Sequence, residues 1–388
     1  MIDKTLASLE EQNLLRLLTP TVPGPGSTVR IGNRLCISFA SNDYLGLSRH
    51  PELIATGQRS LQEFGCGSGA SRLMAGSLLP HHEFERDIAS FLGSESARLF
   101  GSGYLANLAW LSILPQRNDL ILADRLIHAS LVEGCKISGA QFRLFRHNDM
   151  NHLESLLAAN RNAKRVFVVT EGVFSMEGDL APLPEVLDLT DRFDARLLLD
   201  DAHGFGILGR NGRGTASHFD VDRRIEYKMG TLGKAAGLSG AFIAGPDNFI
   251  QFLSNRAKTF IYTTAPPPFL SVMAQRSVAL IEAGDSLRAR LRENRTRLSS
   301  GFQRIGIPVP ESPSPIIPVF IGDNRIAAEL SRSLLESGLY IPAIRPPTVP
   351  SGRARLRISV SALHTAEEID TCVERIEQLG KDHGIFAS

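Results

Sequence analysis

Tryptophan occurs once and tyrosine five times in 388 residues, and there are only four cysteines. Cys36, Cys66, Cys135 and Cys372 are scattered, with no C-x-x-C pair among them. That spacing excludes a disulfide framework and a zinc-ligand pattern, and it suits a reducing compartment. Charge of one sign is lacking as well: 42 Lys and Arg stand against 41 Asp and Glu, a net charge of +1. Neither nucleic acid nor an anionic membrane is therefore expected as the main partner. No run of 18 apolar residues occurs, so no membrane-spanning helix is expected. Residues 1–18 mix acids and bases with short apolar clusters. They lack the apolar run and small-residue cleavage site of a secretory signal, which makes the cytoplasm the expected location. There is no H-E-x-x-H and no Cys/His cluster, so no metal site is expected. The adjacent His81 and His82 lie in a helical pattern with Glu83 and Glu85. Neighbouring residues on a helix point in different directions, so this segment reads as a solvated face.

What the chain does have is the balance of a globular protein, with 43% hydrophobic and 21% charged residues and length enough for two to three domains. Residues 2–18 carry leucines near helical spacing, followed by a Pro/Gly loop over 19–27. Strand-like runs at 97–100, 120–123, 141–145, 165–170, 196–200 and 224–229 alternate with helical patterns such as 183–193. That alternation predicts βαβ units and an α/β fold with a mostly parallel sheet. Pro266-Pro267-Pro268 then forbids a continuous helix, and a long helical pattern runs to about residue 304. Strands near 315–321 and 355–360 and helices near 325–337 and 366–379 predict a smaller α+β domain. The expected organisation is an N-terminal arm over 1–45, a large α/β domain over 46–285 and a small C-terminal domain over 286–388.

Ligands of open parallel sheets bind at the carboxyl ends of the strands, and three such ends carry polar clusters. The run 196–199 leads into Asp200-Asp201-Ala202-His203-Gly204. The run 166–169 leads into Thr170-Glu171-Gly172-Val173-Phe174-Ser175. The run 224–229 leads into Gly230-Thr231-Leu232-Gly233-Lys234. The last is no Walker loop, since two residues separate its glycines and Ala235 follows the lysine. A lysine among glycines reads as a solvated turn residue. Its small neighbours Gly233, Ala235, Ala236 and Gly237 also let a planar group approach, and a lysine shielded from water is a nucleophile toward an aldehyde. A carboxylate ending an apolar strand is a helix cap, half of a salt bridge, or a buried anion that holds a proton on a heterocyclic nitrogen. Spacing does not choose between Asp200 and Asp201 for that last role. Gly101-Ser102-Gly103-Tyr104 opens a helix whose free N–H groups suit a phosphate. Gly65-Cys66-Gly67-Ser68-Gly69 has the wrong spacing for a dinucleotide fingerprint and follows a helical segment. Alternation puts Arg355 and Arg357 on one face of a strand. They are suited to carboxylate capture, or else form a solvated strand edge.

Taken together, the motifs resemble those of the α-oxoamine synthases, enzymes of the fold-type I aminotransferase superfamily that use pyridoxal 5'-phosphate (PLP). The resemblance covers nearly the whole chain. It rests on Ser41 to Leu47, Gly67 to Arg72, Asp124 to Ser130, Thr170 to Met176, Asp200 to Gly204 and Thr231 to Lys234, with the Ile344 to Pro350 loop pointing to a particular member. Phe84 stands where the family usually has leucine, a core position. The resemblance implies a PLP-binding α/β domain with a smaller α+β domain. Lys234 would carry PLP covalently, Asp200 would pair with the ring nitrogen, and His203 and Ser175 would bond the ring hydroxyl oxygen. His128 would stack on the ring. Gly103 and Tyr104 would lie by the phosphate and ring, and Thr231 would bind phosphate. Asn42 and Arg357 would hold the amino acid carboxylate, and Arg16, Thr348 and Arg345 would serve the acyl substrate. The implied reaction is a decarboxylating condensation of L-alanine with a pimeloyl thioester, carried on coenzyme A or an acyl carrier protein. A rival is a relative joining glycine to acetyl-coenzyme A. The implied assembly is a homodimer, with Thr263 and Thr264 candidates to reach the neighbour's phosphate.

Overall fold

The computed structural model describes residues 1–385, so the last three residues of the expected 286–388 domain lie outside it. The chain forms two compact units: Met1–Gly46, Met176–Asp179 and the chain from Ser286 onward make one, and Leu47–Ser175 with Leu180–Asp285 make the other.

The second, larger unit is built on a seven-stranded sheet. Its spatial order is 96–100, 241–245, 227–231, 195–200, 166–171, 120–124, 141–145. Only 241–245 runs antiparallel to its neighbours. Every residue of 120–124, 166–171, 227–231 and 241–245 is buried. Burial of both faces is why these strands read as unbroken apolar runs rather than as alternation. Chain order reverses between 120–124 and 166–171, and this switch opens a crevice at the strands' carboxyl ends.

Helix Gly103–Ile113 starts at Ser102, whose hydroxyl accepts the Leu105 N–H. It packs against helix Ala129–Ile137, which His128 caps by accepting the Ser130 N–H on its side chain. The approach is close enough to require a glycine: a Cβ on Gly134 would lie 2.8 Å from the Leu111 side chain and 3.0 Å from the Asn107 carbonyl oxygen. Between strands 227–231 and 241–245 the chain turns back in a short connection. Leu232 N–H donates to Gly240 O, Leu238 N–H to Leu232 O, and Gly237 N–H to Lys234 O. Gly237 has φ +69°, and a Cβ there would come within 2.3 Å of the Ser48 backbone nitrogen.

In the other unit, strand 354–359 is the centre of a three-stranded antiparallel sheet, between 316–322 and 343–344. All six of its residues are buried. The alternative of a solvated edge for Arg355 and Arg357 is therefore overturned. A four-stranded sheet orders 22–23, 28–31, 34–38 and 339–340.

Several expectations shift. The helix expected over 2–18 is Ile2–Glu11, because Asn13 takes a left-handed conformation, φ 54°, that no helix continues through. The long pattern toward 304 is two helices, Pro268–Glu282 and Asp285–Arg304, broken at Gly284. The strand expected over 224–229 lies at Tyr227–Thr231, because Asp222–Arg224 forms a 3₁₀ turn. The solvated face expected around His81 fails for two residues. His81 is buried, with Nε2 against the Pro266 carbonyl at 2.8 Å. Glu85 is also buried, accepting from Arg72 at 2.7 Å and Arg98 at 2.6 Å. No described helix is long and apolar enough to cross a membrane.

Candidate active site

Strands 166–171, 195–200 and 227–231 end in Glu171, Asp200 and Thr231. These three, with Gly103, Tyr104, Asn107, His128, Ser130, Ala202, His203, Met229 and Lys234, line one cavity of about 190 Å³. Segments far apart in sequence meet here because parallel strands deliver their carboxyl ends to one edge.

At one side of the cavity stand two carboxylates. Glu171 and Asp200 face each other across neighbouring strands, and both are nearly inaccessible to water. Asp200 Oδ2 accepts from Asn107 Nδ2 at 2.7 Å, and Oδ1 accepts from the Ala202 N–H at 3.0 Å. Glu171 accepts the backbone N–H groups of His128 and Ser175. Burial and the adjacent Asp200 charge push the Glu171 pKa well above the usual carboxylate range. Of the two aspartates left open by spacing, Asp200 alone is a lining residue of the cavity. Asp201 does not line the cavity; its carboxylate accepts the Thr215 N–H at 2.6 Å and the Thr215 hydroxyl at 2.5 Å. Burial pushes its pKa up to about 7.

Lys234 lines the cavity half-buried, so it is neither the solvated turn residue nor fully shielded. His203 lines it too, at 5% exposure. His128 lines the cavity and is exposed as a residue. Desolvation outweighs the Asp200 charge and, with Lys234 adding to it, pulls the imidazole pKa below its ordinary value. Thr231 Oγ1 donates to Gly240 O at 2.9 Å and accepts the Gly233 N–H at 3.1 Å. Beside it the first turn of helix Gly103–Ile113 offers N–H groups without intrahelical acceptors. A Cβ on Gly103 would project toward Thr231 Oγ1 and Met229, 3.9 and 3.8 Å away, into space the glycine leaves open. Ser175 lies beyond its strand with its N–H on Glu171 and is not a lining residue.

The remaining expected residues cluster within the other unit. Arg357 donates to Asn42 Oδ1 at 3.1 Å, Tyr44 Oη at 3.4 Å and Ser359 Oγ at 2.8 Å. Arg345 donates to the carbonyls of Asn13, at 2.5 Å, and Leu15. Arg16 reaches back to the carbonyls of Arg345 and Pro346 and to Thr348 Oγ1, at 3.4, 3.2 and 3.2 Å. The two arginines thus clasp each other's segments through neutral oxygens. Arg355, two residues before Arg357, instead pairs with Glu177 at 2.7 Å and lies 4.5 Å over the Phe320 ring.

Sequence reasoning missed Asn107 and Ser130 and gave Glu171 no role. The available signals were positional. Asn107 lies one helical turn after Gly103, Ser130 follows His128 by two, and Glu171 ends the strand beside that of Asp200.

A cavity at the carboxyl edge of a mostly parallel sheet, holding a lysine, a buried aspartate and a helix N-terminus, defines a class of protein, and the comparisons agree with it. Residues 34–376 match the family model described as aminotransferase class I and II, and the chain belongs to that family. Within it, the chain is 42% identical to 8-amino-7-oxononanoate synthase of Geobacter sulfurreducens over 98% of both chains. It is 46% identical to the enzyme of that name from Chromobacterium violaceum, over 95% of this chain and 96% of the relative. Among solved structures, a serine palmitoyltransferase from S. paucimobilis with bound PLP superposes with a TM-score of 0.94 at 29% identity, covering 99% of this chain and 98% of that one. An 8-amino-7-oxononanoate synthase from Francisella tularensis gives 0.79 at 30% identity, covering 90% and 99%. The fold-type I architecture expected from the motifs is the one found.

Proposed function

We propose that this chain is a PLP-dependent acyltransferase. It condenses L-alanine with a pimeloyl thioester, on coenzyme A or an acyl carrier protein, and releases 8-amino-7-oxononanoate, carbon dioxide and the free thiol in bacterial biotin biosynthesis. The observation that carries this reading is the meeting of Lys234, Asp200, His203, His128, Thr231 and the Gly103 helix terminus in one cavity. The donor set fits the cofactor: an amine, an anion away from water, and a hydroxyl beside a helix N-terminus with open space at Gly103.

When bound, PLP supplies an aldehyde for covalent attachment and a cationic ring that accepts the electron pair left at the amino acid's Cα. Lys234 Nζ would provide the amine for that attachment, and as a free amine it would be the base that takes the Cα proton. Asp200 would hold a proton on the ring nitrogen, a task suited to a buried carboxylate that accepts from the Asn107 amide and the Ala202 N–H. Thr231 and the first turn of helix Gly103–Ile113, with Tyr104, bind the phosphate end. His203 and Ser175 serve the ring hydroxyl oxygen, and His128 covers the ring face. Asn42 and Arg357 take the amino acid carboxylate, and Arg16, Arg345 and Thr348 serve the acyl substrate. The working assembly in this reading is a homodimer in the cytoplasm, with Thr263 and Thr264 reaching the neighbour's phosphate.

The test supplies L-alanine and pimeloyl thioester to the purified chain and looks for carbon dioxide and the amino ketone by mass spectrometry. Lys234→Ala is expected to lower turnover by at least about 10³-fold. Borohydride reduction and peptide mapping should place the pyridoxyl label on Lys234. A label elsewhere, or product only from glycine and acetyl-coenzyme A, overturns this reading.

A further inference from the structure

We propose that Asn107 and Ser130 form a hydrogen-bonded chain between the Asp200 carboxylate and the His128 imidazole, fixing His128 as the neutral tautomer with its proton on Nε2. The two are positioning residues, and their meaning for catalysis rests on the proposed function, while the tautomer itself does not.

The donors and acceptors of the chain can be assigned in one way. Asn107 is an amide in a largely apolar helix, buried to 1% exposure. Its Nδ2 lies 2.7 Å from Asp200 Oδ2 and 2.9 Å from Ser130 Oγ. An ionised carboxylate only accepts, so the amide nitrogen must face it; the flipped amide would set oxygen against oxygen. Both Nδ2 hydrogens are then used, one on Asp200 and one on Ser130. Ser130 Oγ, having accepted from Asn107, has its own hydrogen left for His128 Nδ1 at 2.7 Å. The Ser130 backbone N–H points at the same Nδ1 from 3.2 Å. A backbone N–H cannot accept, so Nδ1 carries a lone pair, and the neutral ring bears its proton on Nε2. Protonating Nδ1 would set a third hydrogen against two donors.

The surroundings agree. Asp200, Glu171, Lys234 and His203 line the same cavity as His128. The lowered His128 pKa follows from desolvation first, with Lys234 adding to it against Asp200. Asn107 Oδ1 is buried without a hydrogen-bond partner, a destabilising feature that leucine would avoid. An amide at this position is therefore explained by its nitrogen, not by packing. Gly134 allows the close approach of the two helices that carry Asn107 and Ser130. Glu171 fixes the other end of the chain by accepting the His128 backbone N–H.

The experiment is a long-range ¹H–¹⁵N correlation spectrum of the full chain with PLP bound and its ten histidines labelled at both ring nitrogens. The signals missing from His128→Gln identify His128. The expected pattern is a neutral ring protonated at Nε2 at pH 7. Ser130→Ala and Asn107→Leu should each mix the tautomers or raise the His128 pKa by about 0.5–1 pH unit, whereas Ser130→Thr should restore the wild-type pattern. An Nδ1–H ring or an imidazolium in the wild type at pH 7 overturns the proposal, and this reading needs no variant to fold. Unchanged spectra in folded Ser130→Ala and Asn107→Leu overturn it as well. Failure to form the amino ketone from L-alanine and pimeloyl thioester would instead remove the proposed function and leave the tautomer in place.

Discussion

In the large unit the cavity holds, beside Lys234, two carboxylates removed from water and supported by the amides of Asn107, Ala202, His128 and Ser175. In the small unit the clustered charges are guanidiniums, and Arg16 and Arg345 are supported by carbonyl and hydroxyl oxygens of the clasped segments. Among the described residues neither of those arginines forms an ion pair. Some buried charges elsewhere instead pair with each other, as in Glu85 with Arg72 and Arg98, or Arg355 with Glu177. The difference separates two uses of charge. A counter-ion cancels the field and leaves a structural tie, whereas neutral dipoles stabilise a charge and leave its field available to a ligand.

The comparison breaks most decisively at Asp200. Asp200→Ala is expected to lose PLP on desalting and to lower turnover by at least about 10²-fold, read by cofactor absorbance and product mass spectrometry. An Asp200→Ala enzyme that keeps both would put the active anion elsewhere. The next test sets two arginines of one strand against each other. Arg357→Ala should raise the KM for L-alanine by about 10²-fold, the loss of a charge-assisted contact. Arg355→Met should leave that KM within about threefold and cost about 2–3 kcal/mol of stability in denaturant melts, because Glu177 loses its partner. Reversed outcomes would exchange their roles.

A smaller effect sharpens the carboxylate side. The folded-state pKa of Asp201 is raised to about 7, so below the ordinary aspartate range both folded and unfolded chains hold this proton. Between that range and about pH 7 only the folded chain holds it. Asp201 therefore contributes stability at the acid end that is lost as the pH rises through this window. Asp201→Asn should flatten that part of the plot of Tm against pH; an unchanged slope would mean the carboxylate ionises normally. The smallest effect is expected at Phe84, fully buried and edge-on to Phe242 with centroids 6.4 Å apart. Phe84→Leu should cost about 1–2 kcal/mol and leave kcat within about twofold, since no cavity residue is altered.

The sheet was readable because strands buried on both faces must be apolar throughout, and their carboxyl ends must turn polar where a ligand binds. Lys234, Asp200 and His203 stand out for that reason, whereas His128 enters only through the family resemblance. Asn107 and Ser130 do not stand out, because a single amide or hydroxyl on a helix carries no periodic signal and its meaning depends on which strand end it meets. His81 and Glu85 misled for the opposite reason. Their polarity suggests solvent, yet Arg72, Arg98 and the Pro266 carbonyl satisfy them inside the protein. The strand carrying Arg355 and Arg357 looked like an edge because alternating arginines mimic a wet face. Two long guanidinium groups with oxygen partners can instead be accommodated at a sheet's centre.

The connection that carries Lys234 differs from the other crossings at this edge, which pass through helices. It returns directly to the adjacent antiparallel strand and is tied off by Leu232, Gly237 and Leu238. A helix crossover can absorb an added residue in its loops. Here an insertion or deletion would have to be taken up by the pairing of 227–231 with 241–245, where a slip of one residue turns every side chain to the opposite face. Tolerance of length changes should thus be lowest in the segment bearing the amine, and a scan of single-residue insertions along the carboxyl edge would map that lock.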